Sequence, residues 1–293
     1  MLSAKILKDQ GIAVTPICFK SYFFGHKKAE KAAKQIGLKL RVVDFSKEHL
    51  KMLKNPEHGR GSAINPCIDC HLLMLKTAKK IMKAEGYDFV CTGEVLGQRP
   101  FSQNKDALEM IERQAGLKGL IVRPLCAKVL SETIPEKKGM VNREKLYGIK
   151  GRMRSKQIEL TRAFGIKEYE SPAGGCILTD KSYSVNLLEL FKRNPKALGG
   201  ECQVLRLGRI FWQDKYLIVV ARNERECREL PKFIKKGDVA LEPHNFSGPT
   251  VLIRKYQKSS QEEMIDVGLQ FVTDYSKNIP EDFVVRLLPP LKP

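Results

Sequence analysis

Apolar positions along the first 180 residues recur in two alternating periods, and the alternation predicts the elements. Leu2 to Asp9 spaces its apolar residues at helical intervals and stops at Gly11, a residue type that readily ends helices. Ile12 to Phe19 follows as an apolar, partly β-branched run of strand character. The pair then repeats, with Lys27 to Ile36 as a helix closed by Gly37 and Leu38 to Phe45 as a strand. Cys70 to Glu85 reads as a third helix capped by Gly86, Phe89 to Thr92 as a short buried strand, Lys105 to Ala115 as a helix and Leu120 to Pro124 as another strand. Arg143 to Phe164 adds two basic helical stretches. Strands separated by helices imply a parallel sheet with helices on both faces.

The pattern changes after about Asp180. Tyr183 to Lys192 is helical, and Asn194 to Gly200 reads as a linker containing Pro and Gly. Cys202 to Leu207, Arg209 to Trp212 and Tyr216 to Arg222 then follow as strands at hairpin spacing. Asn223 to Phe233 is helical, and Val251 to Tyr256 and Phe283 to Leu288 are extended. The expected organisation is an α/β domain over 1–182, a linker over 183–200 and a smaller α+β domain over 201–293. There is no internal repeat and no low-complexity segment.

Charge adds a partner class. The chain of 293 residues has 52 Lys and Arg against 33 Asp and Glu, a formal net charge of +19. Residues 181–293 hold 19 of the cations and 14 of the anions, so +14 of the excess lies in residues 1–180. Such a field suits a polyanion, nucleic acid or an anionic membrane surface. No apolar run approaches the ~20 residues a membrane helix needs. Met1 to Gln10 alternates apolar and basic residues and lacks the apolar core and cleavage site of a secretory signal, so a cytoplasmic protein with no membrane partner is expected.

Eight cysteines in a reducing compartment raise the question of metal binding or catalysis at each. Asn65-Pro66-Cys67-Ile68-Asp69-Cys70-His71 places two thiols three positions apart at the mouth of a helix, where they can share a metal centre and where the helix terminus favours thiolate. Cys176 follows the paired glycines of Ser171-Pro172-Ala173-Gly174-Gly175 and is the third candidate ligand, and three thiolates suit a cluster with one open iron. Structural zinc with His71 as fourth ligand, a redox dithiol and inert packing stay open as alternatives. Cys18, Cys91, Cys126, Cys202 and Cys227 lack metal-ligand spacing and read as packing residues.

Cys91-Thr92-Gly93-Glu94-Val95-Leu96-Gly97-Gln98 follows a predicted strand, at the sheet edge where open α/β folds bind ligands. Its glycines admit a nucleotide to the backbone, and Glu94 or Gln98 would orient phosphate, magnesium or a target base. An ordinary strand-to-helix turn has the same composition.

The run from Thr92 through Gln98, continuing through Ser102-Gln103 to Arg123-Pro124-Leu125, resembles the ATP-pyrophosphatase domain of the tRNA 4-thiouridine synthases, over roughly residues 1–182. The resemblance implies a Rossmann-like fold of the adenine nucleotide alpha hydrolase type. It implies ATP and magnesium as cofactors, adenylation of a tRNA uridine, and displacement of AMP by a sulfur nucleophile drawn from sulfide or a carrier protein. Cys67, Cys70 and Cys176 resemble the three-cysteine branch that holds a 4Fe-4S cluster. Gly93, Glu94 and Gln98 would then face the nucleotide, with the backbone near Phe19 and Lys20 on the adenine. Leu207-Gly208-Arg209, Val219 to Glu224, Gly237-Asp238 and Ser247 to Thr250 are similar to the RNA-binding domain of NFACT proteins, which implies RNA contacts from Arg209, Trp212 and Arg222. Members of the synthase group begin with a strand and a Ser-Gly-Gly-x-Asp-Ser phosphate loop, whereas Met1 to Lys5 corresponds to the helix after that loop. The expectation is therefore a domain without that strand and loop, with a chain start lying upstream. An RNA-binding module with zinc or no metal is the rival reading, and a homodimer is left open.

Overall fold

The computed structural model describes residues 1–169 and 176–290, which divide between Thr179 and Asp180 into two units. In the first, α1 (Leu2–Lys8) buries Leu2, Ile6 and Leu7 and exposes Lys8 and Asp9 behind it. β1 (Ile17–Lys20) pairs in parallel with β2 (Arg41–Asp44), and α2 (Lys27–Gln35) makes the crossover between them. The ladder starts later than the expected Ile12 because Pro16 has no N–H to give; it contributes only its carbonyl, to Arg41 N at 2.9 Å.

α3 (Ser46–Lys54) follows β2 at once, a helix the apolar pattern had left inside a connection; it buries His49, Leu50 and Leu53. α4 (Cys67–Glu85) ends at Gly86, whose φ of 73° is the left-handed cap anticipated there. β3 (Val90–Cys91) pairs in parallel with β4 (Ile121–Val122) across α5 (Lys105–Gln114). α6 (Ile134–Lys137) and α7 (Ser155–Ala163) complete the unit.

The expected single parallel sheet is corrected to two separate two-stranded parallel pairs. Helix packing makes up the difference. Ile121 joins Ile68, Leu72, Leu75, Ile111 and Leu117 in one apolar cluster. Val122, whose side chain points to the opposite face, joins Leu2, Ile6, Leu7, Val95, Cys126 and Leu146 in another. Each buried leucine or isoleucine contributes about 1.5–3 kcal/mol.

The second unit opens with α8 (Lys181–Arg193), capped by the Asp180 carboxylate on Tyr183 N at 2.8 Å, and α9 (Gly199–Val204). The linker expected over 183–200 is therefore folded structure, and the strand expected from Cys202 to Leu207 begins as helix. Polar side chains decide both points. Glu201 reaches back to Leu198 N at 3.0 Å and accepts from Asn194 Nδ2 at 3.1 Å, while Tyr183 donates its hydroxyl to the Cys202 carbonyl at 2.8 Å.

Next come β5 (Arg209–Trp212), β6 (Tyr216–Val220), α10 (Glu224–Glu229), β7 (Val239–Pro243), β8 (Val251–Lys255), α11 (Gln261–Asp274) and β9 (Val285–Leu287). The strands form one antiparallel sheet in the order β5-β6-β8-β7-β9. α11 packs on it, joining Met264, Phe271 and Val272 to Ile218, Val220, Leu241 and Ile253. Gly208 is obligatory where the chain enters β5: its φ is 67°, and a Cβ there would lie 2.3 Å from the Val220 carbonyl oxygen. Among the described residues no helix is long and apolar enough to cross a membrane.

Candidate functional site

The loop before α4 is built to present sulfur. Asn65, buried, ties it together: its carbonyl accepts from Gly61 N at 2.8 Å, its Oδ1 from Ala63 N at 3.2 Å, and its Nδ2 donates to Cys67 Sγ at 3.1 Å. Cys67 and Cys70 then occupy the first turn of α4, three residues apart and so on one face, while Ile68 and Leu72 anchor the other face in the core. Asp69 turns away from the sulfurs and accepts from Glu57 N, His58 N and His58 Nδ1 at 3.2, 3.0 and 2.9 Å. Glu57, His58 and Asp69 lie within 4.8 Å of one another. Asp69 is already filled by these donors and His58 Nε2 by Gln114 at 3.1 Å, which makes the trio a brace for the loop and not a cation site.

Cys176, far down the chain, is followed by a turn in which Thr179 donates N–H and hydroxyl to its carbonyl at 3.0 and 2.7 Å. The glycine run Ser171 to Gly175 lies outside the described residues. Burial pushes the Cys70 thiol up, and the adjacent sulfurs of Cys176 and Cys67 and the Asp69 carboxylate push the same way. Burial raises Cys176 as well, with Cys67 adding to the rise and the Leu178 amide and the Arg99 guanidinium opposing it. The three thiols thus share one electrostatic neighbourhood in which three thiolates are costly without a cation, and a coordinated metal removes that cost. Among the described residues the three sulfurs are not all within 4.8 Å of one another.

The loop after β3 borders this place. Gly93 is exposed, and a Cβ on it would sit 3.8 Å from Ser3 Oγ. Ser3 Oγ, Gln98 Nε2 and Gln103 Oε1 are buried without a hydrogen-bond partner among the described residues. Glu94, expected to face a nucleotide, is turned inward. It accepts from His71 Nδ1 at 3.1 Å, Thr92 Oγ1 at 2.9 Å and Arg123 Nε at 3.0 Å, and Arg123 also donates to Glu112 at 3.1 Å. Against the upward push of burial, the His71 hydrogen bond and the Arg123 charge hold its carboxyl at about 2. This network was not anticipated; Arg123-Pro124 in the motif was its only visible trace. At the end of β1, Phe19 packs its ring 5.2 Å from Phe45, and Lys20 pairs with Asp44 at 3.1 Å. Of the five cysteines expected to pack, Cys126 and Cys202 are fully buried and Cys18, Cys91 and Cys227 half-buried.

In the second unit Arg209 is exposed, with its guanidinium 5.2 Å from the Tyr275 ring. Trp212 is occupied: its indole N–H goes to Asn186 at 2.9 Å and Arg193 covers its ring at 5.1 Å. Arg222 is ion-paired with Glu226, which also accepts from Gly208 N at 3.1 Å.

Two family models match the chain, one in each unit. Residues 3–136 match the thiamine biosynthesis protein (ThiI) model, and residues 208–286 match the NFACT protein RNA binding domain. Residues 3–136 are therefore ThiI-like, and residues 208–286 are similar to an NFACT-type RNA-binding domain. At family level this supports a role in tRNA thiolation or thiamine biosynthesis for the first unit and an RNA partner for the second. Cys67 and Cys70 fall within the ThiI-like segment, and Cys176 lies beyond it. No curated protein and no solved structure matches the chain.

Proposed function

We propose that the protein thiolates a tRNA uridine, with ATP and magnesium activating the base oxygen by adenylation and Cys67, Cys70 and Cys176 holding a 4Fe-4S cluster. The observation that carries the reading is the Cys67-x-x-Cys70 pair on the first turn of α4, whose thiols feel the charge of Cys176, beside a loop with unsatisfied buried polar atoms, in a ThiI-like unit. The donor set fits the cluster. Structural zinc normally takes four protein ligands, whereas three thiols leave one position open. Three protein thiolates leave one iron free of protein ligands, and the cluster's chemistry there is to bind and present sulfur.

The chain's own residues position and exclude. The backbone at Gly93 and the side chain of Gln98 face the activated nucleotide, with the backbone at Phe19 and Lys20 on the adenine, in a Rossmann-like arrangement. Glu94 acts through Thr92 and Arg123, holding the loop in shape. RNA contacts in the second unit fall to the exposed Arg209 and Arg222, with Trp212 supporting the surface that carries them. The uridine is the 4-position type by resemblance, the sulfur comes from sulfide or a carrier protein, and the setting is cytoplasmic.

The test is anaerobic purification followed by visible absorbance and analysis of iron, acid-labile sulfide and zinc. A brown protein with iron and sulfide that bleaches in Cys176→Ala is the expected result. A colourless protein with stoichiometric zinc would overturn the cluster and favour an RNA-binding module with a structural metal.

A further inference from the structure

α2 presents two different sides. Ala33 and Ile36 are buried and Ala29 and Ala32 half-buried, which fixes the inward face of the helix. Lys27, Lys31 and Lys34, spaced by four and then three residues, line up on the opposite side, and all three are exposed. Among the described residues none of them has a hydrogen-bond or ion-pair partner, and the one acid of the helix, Glu30, pairs with none of them. Like charges at these spacings repel one another, so the row does nothing for the fold. Its three ammonium groups stand along a line of about 10 Å. At the far end of the helix Lys8 Nζ donates to the Ile36 carbonyl at 2.8 Å, and Lys39 is exposed just beyond.

A distant segment is tied to this helix. Gln35 donates Nε2 to the Glu168 carbonyl at 2.8 Å and accepts from Glu168 N at 3.0 Å, so one side chain closes both backbone groups of a residue 133 positions away. The tie holds Lys167 to Tyr169 at the end of α2 that carries Lys34. Lys167 is exposed, without a partner among the described residues, and balances the neighbouring Glu168 carboxylate. Tyr169 is 49% exposed, and its segment runs on to Cys176. A row of cations beside an exposed aromatic ring suits a nucleic-acid strand, because the cations follow its phosphates while the ring stacks on a base.

We propose that Lys27, Lys31 and Lys34 contact neighbouring phosphates of an RNA strand and that Tyr169 stacks on one of its bases. The surface rests on the tRNA reading and extends it, since that reading places RNA contacts on the second unit alone. An anionic membrane fits less well, because every exposed residue of α2 is polar and none is left to enter the lipid. An acidic protein segment would use the charges but not the ring, and the same chain holds a segment similar to an RNA-binding domain.

The experiment is binding of the full chain to transcribed tRNA by fluorescence anisotropy across a salt series, with melting temperatures to show that each variant is folded. Lys27→Gln/Lys31→Gln/Lys34→Gln is compared with Lys118→Gln/Lys137→Gln/Lys138→Gln, which removes the same charge from three exposed lysines elsewhere in the unit. Each lost phosphate contact reduces the slope of log K against log salt by about 0.9. The α2 variant is expected to bind at least about tenfold more weakly at low salt, with a slope shallower by about two to three, while the control stays near wild type. Tyr169→Ala should weaken binding about fivefold or more with the slope unchanged, and Tyr169→Phe should bind as wild type does. Wild-type binding by the folded α2 variant, or equal losses in it and the control, would overturn the surface while leaving the tRNA reading intact. Wild-type affinity in Tyr169→Ala would overturn the stacking contact. Absence of salt-dependent tRNA binding by the wild type would bring down both readings. An α2 variant that keeps its tRNA binding but loses the wild type's binding to polyglutamate would assign the row to an acidic protein and overturn the RNA surface.

Discussion

The two units solve the same problem of stability by different means. Every residue of β6 is buried, between two neighbours in a continuous five-stranded sheet, whereas every residue of β1 is only half-buried, in a sheet of two strands. The second unit is held by a packed sheet under one helix. The first is held by helices around short strands, and both set charged side chains inside, Glu94, Arg123 and Asp69 in the first unit and Glu201, Glu226 and Arg254 in the second. Long ladders fix the strands of the second unit directly. Short ones leave loop ends to be fixed by buried hydrogen bonds, and those loop ends carry the cysteines and the Gly93-to-Gln98 segment.

The strongest way to break this comparison is to remove the buried cation from each unit. Arg254 binds Asp238 through Nε at 3.0 Å and donates to the Phe233 carbonyl at 2.7 Å, with both charged side chains almost wholly buried. Arg254→Met leaves Asp238 uncompensated and is expected to cost about 3–5 kcal/mol. Arg123→Met leaves Glu94 with His71 and Thr92 still donating, so a smaller loss of roughly 1–3 kcal/mol is expected. Urea unfolding followed by far-UV circular dichroism measures both. Equal losses in a single transition would mean that the two units unfold as one cooperative body and that the contrast drawn here has no energetic content.

Much of the contrast is legible in the sequence, and the failures have physical causes. The Gly-terminated helices and the strand at Tyr216 show through because period and punctuation agree there. The Cys67-x-x-Cys70 pair is legible because its spacing is local, and Cys176 stood out as a third candidate only through the paired glycines before it, a weaker signal that the resemblance strengthened. α9 was hidden because its helix depends on Glu201 reaching back to Leu198 and Asn194, a polar tie that an apolar pattern cannot report. α3 was hidden because one of its inward positions is His49. Glu94 looked like a ligand-facing acid because sequence shows a side chain's type and not its partners, and Arg123 stands 29 positions away.

His49 offers the sharper test of the first unit's polar interior. It is fully buried, stacked on Phe45 at 5.0 Å with Phe23 and Phe24 edge-on at 5.5 and 5.4 Å, and neither ring nitrogen has a partner among the described residues. Burial lowers its pKa to about 4 from the usual 6.5. Between these values the unfolded chain binds a proton that the folded chain refuses, so stability is complete above 6.5 and declines as pH falls toward 4. The full loss is on the order of 3 kcal/mol. Urea titrations at pH 7, 6 and 5 should show it in the wild type, and His49→Phe should flatten this limb. An unchanged acid limb in the variant would assign the sensitivity to other groups.

The smallest effects separate the units by consequence more than by size. Asn104 caps α5 by accepting from Ala107 N at 2.8 Å, and Ser260 caps α11 by accepting from Glu263 N at 3.1 Å. Replacing either with alanine should cost about 1 kcal/mol. The outcomes should nevertheless differ. α11 is pinned beyond its first turn by Gly268, where even a Cβ would lie 2.6 Å from Leu241 Cδ1, so Ser260→Ala should fray only the helix start. Asn104 also donates Nδ2 to the Pro100 carbonyl at 2.8 Å, and Gln103 accepts from Gly97 N at 2.7 Å, so the cap is continuous with the loop that carries Gln98 and Arg99. Asn104→Ala should therefore speed amide hydrogen exchange from residue 97 to residue 104, beside the cysteine site. Acceleration confined to the first turn of α5 would show that the loop is held by its own contacts, and that the first unit depends less on polar struts than its short strands suggest.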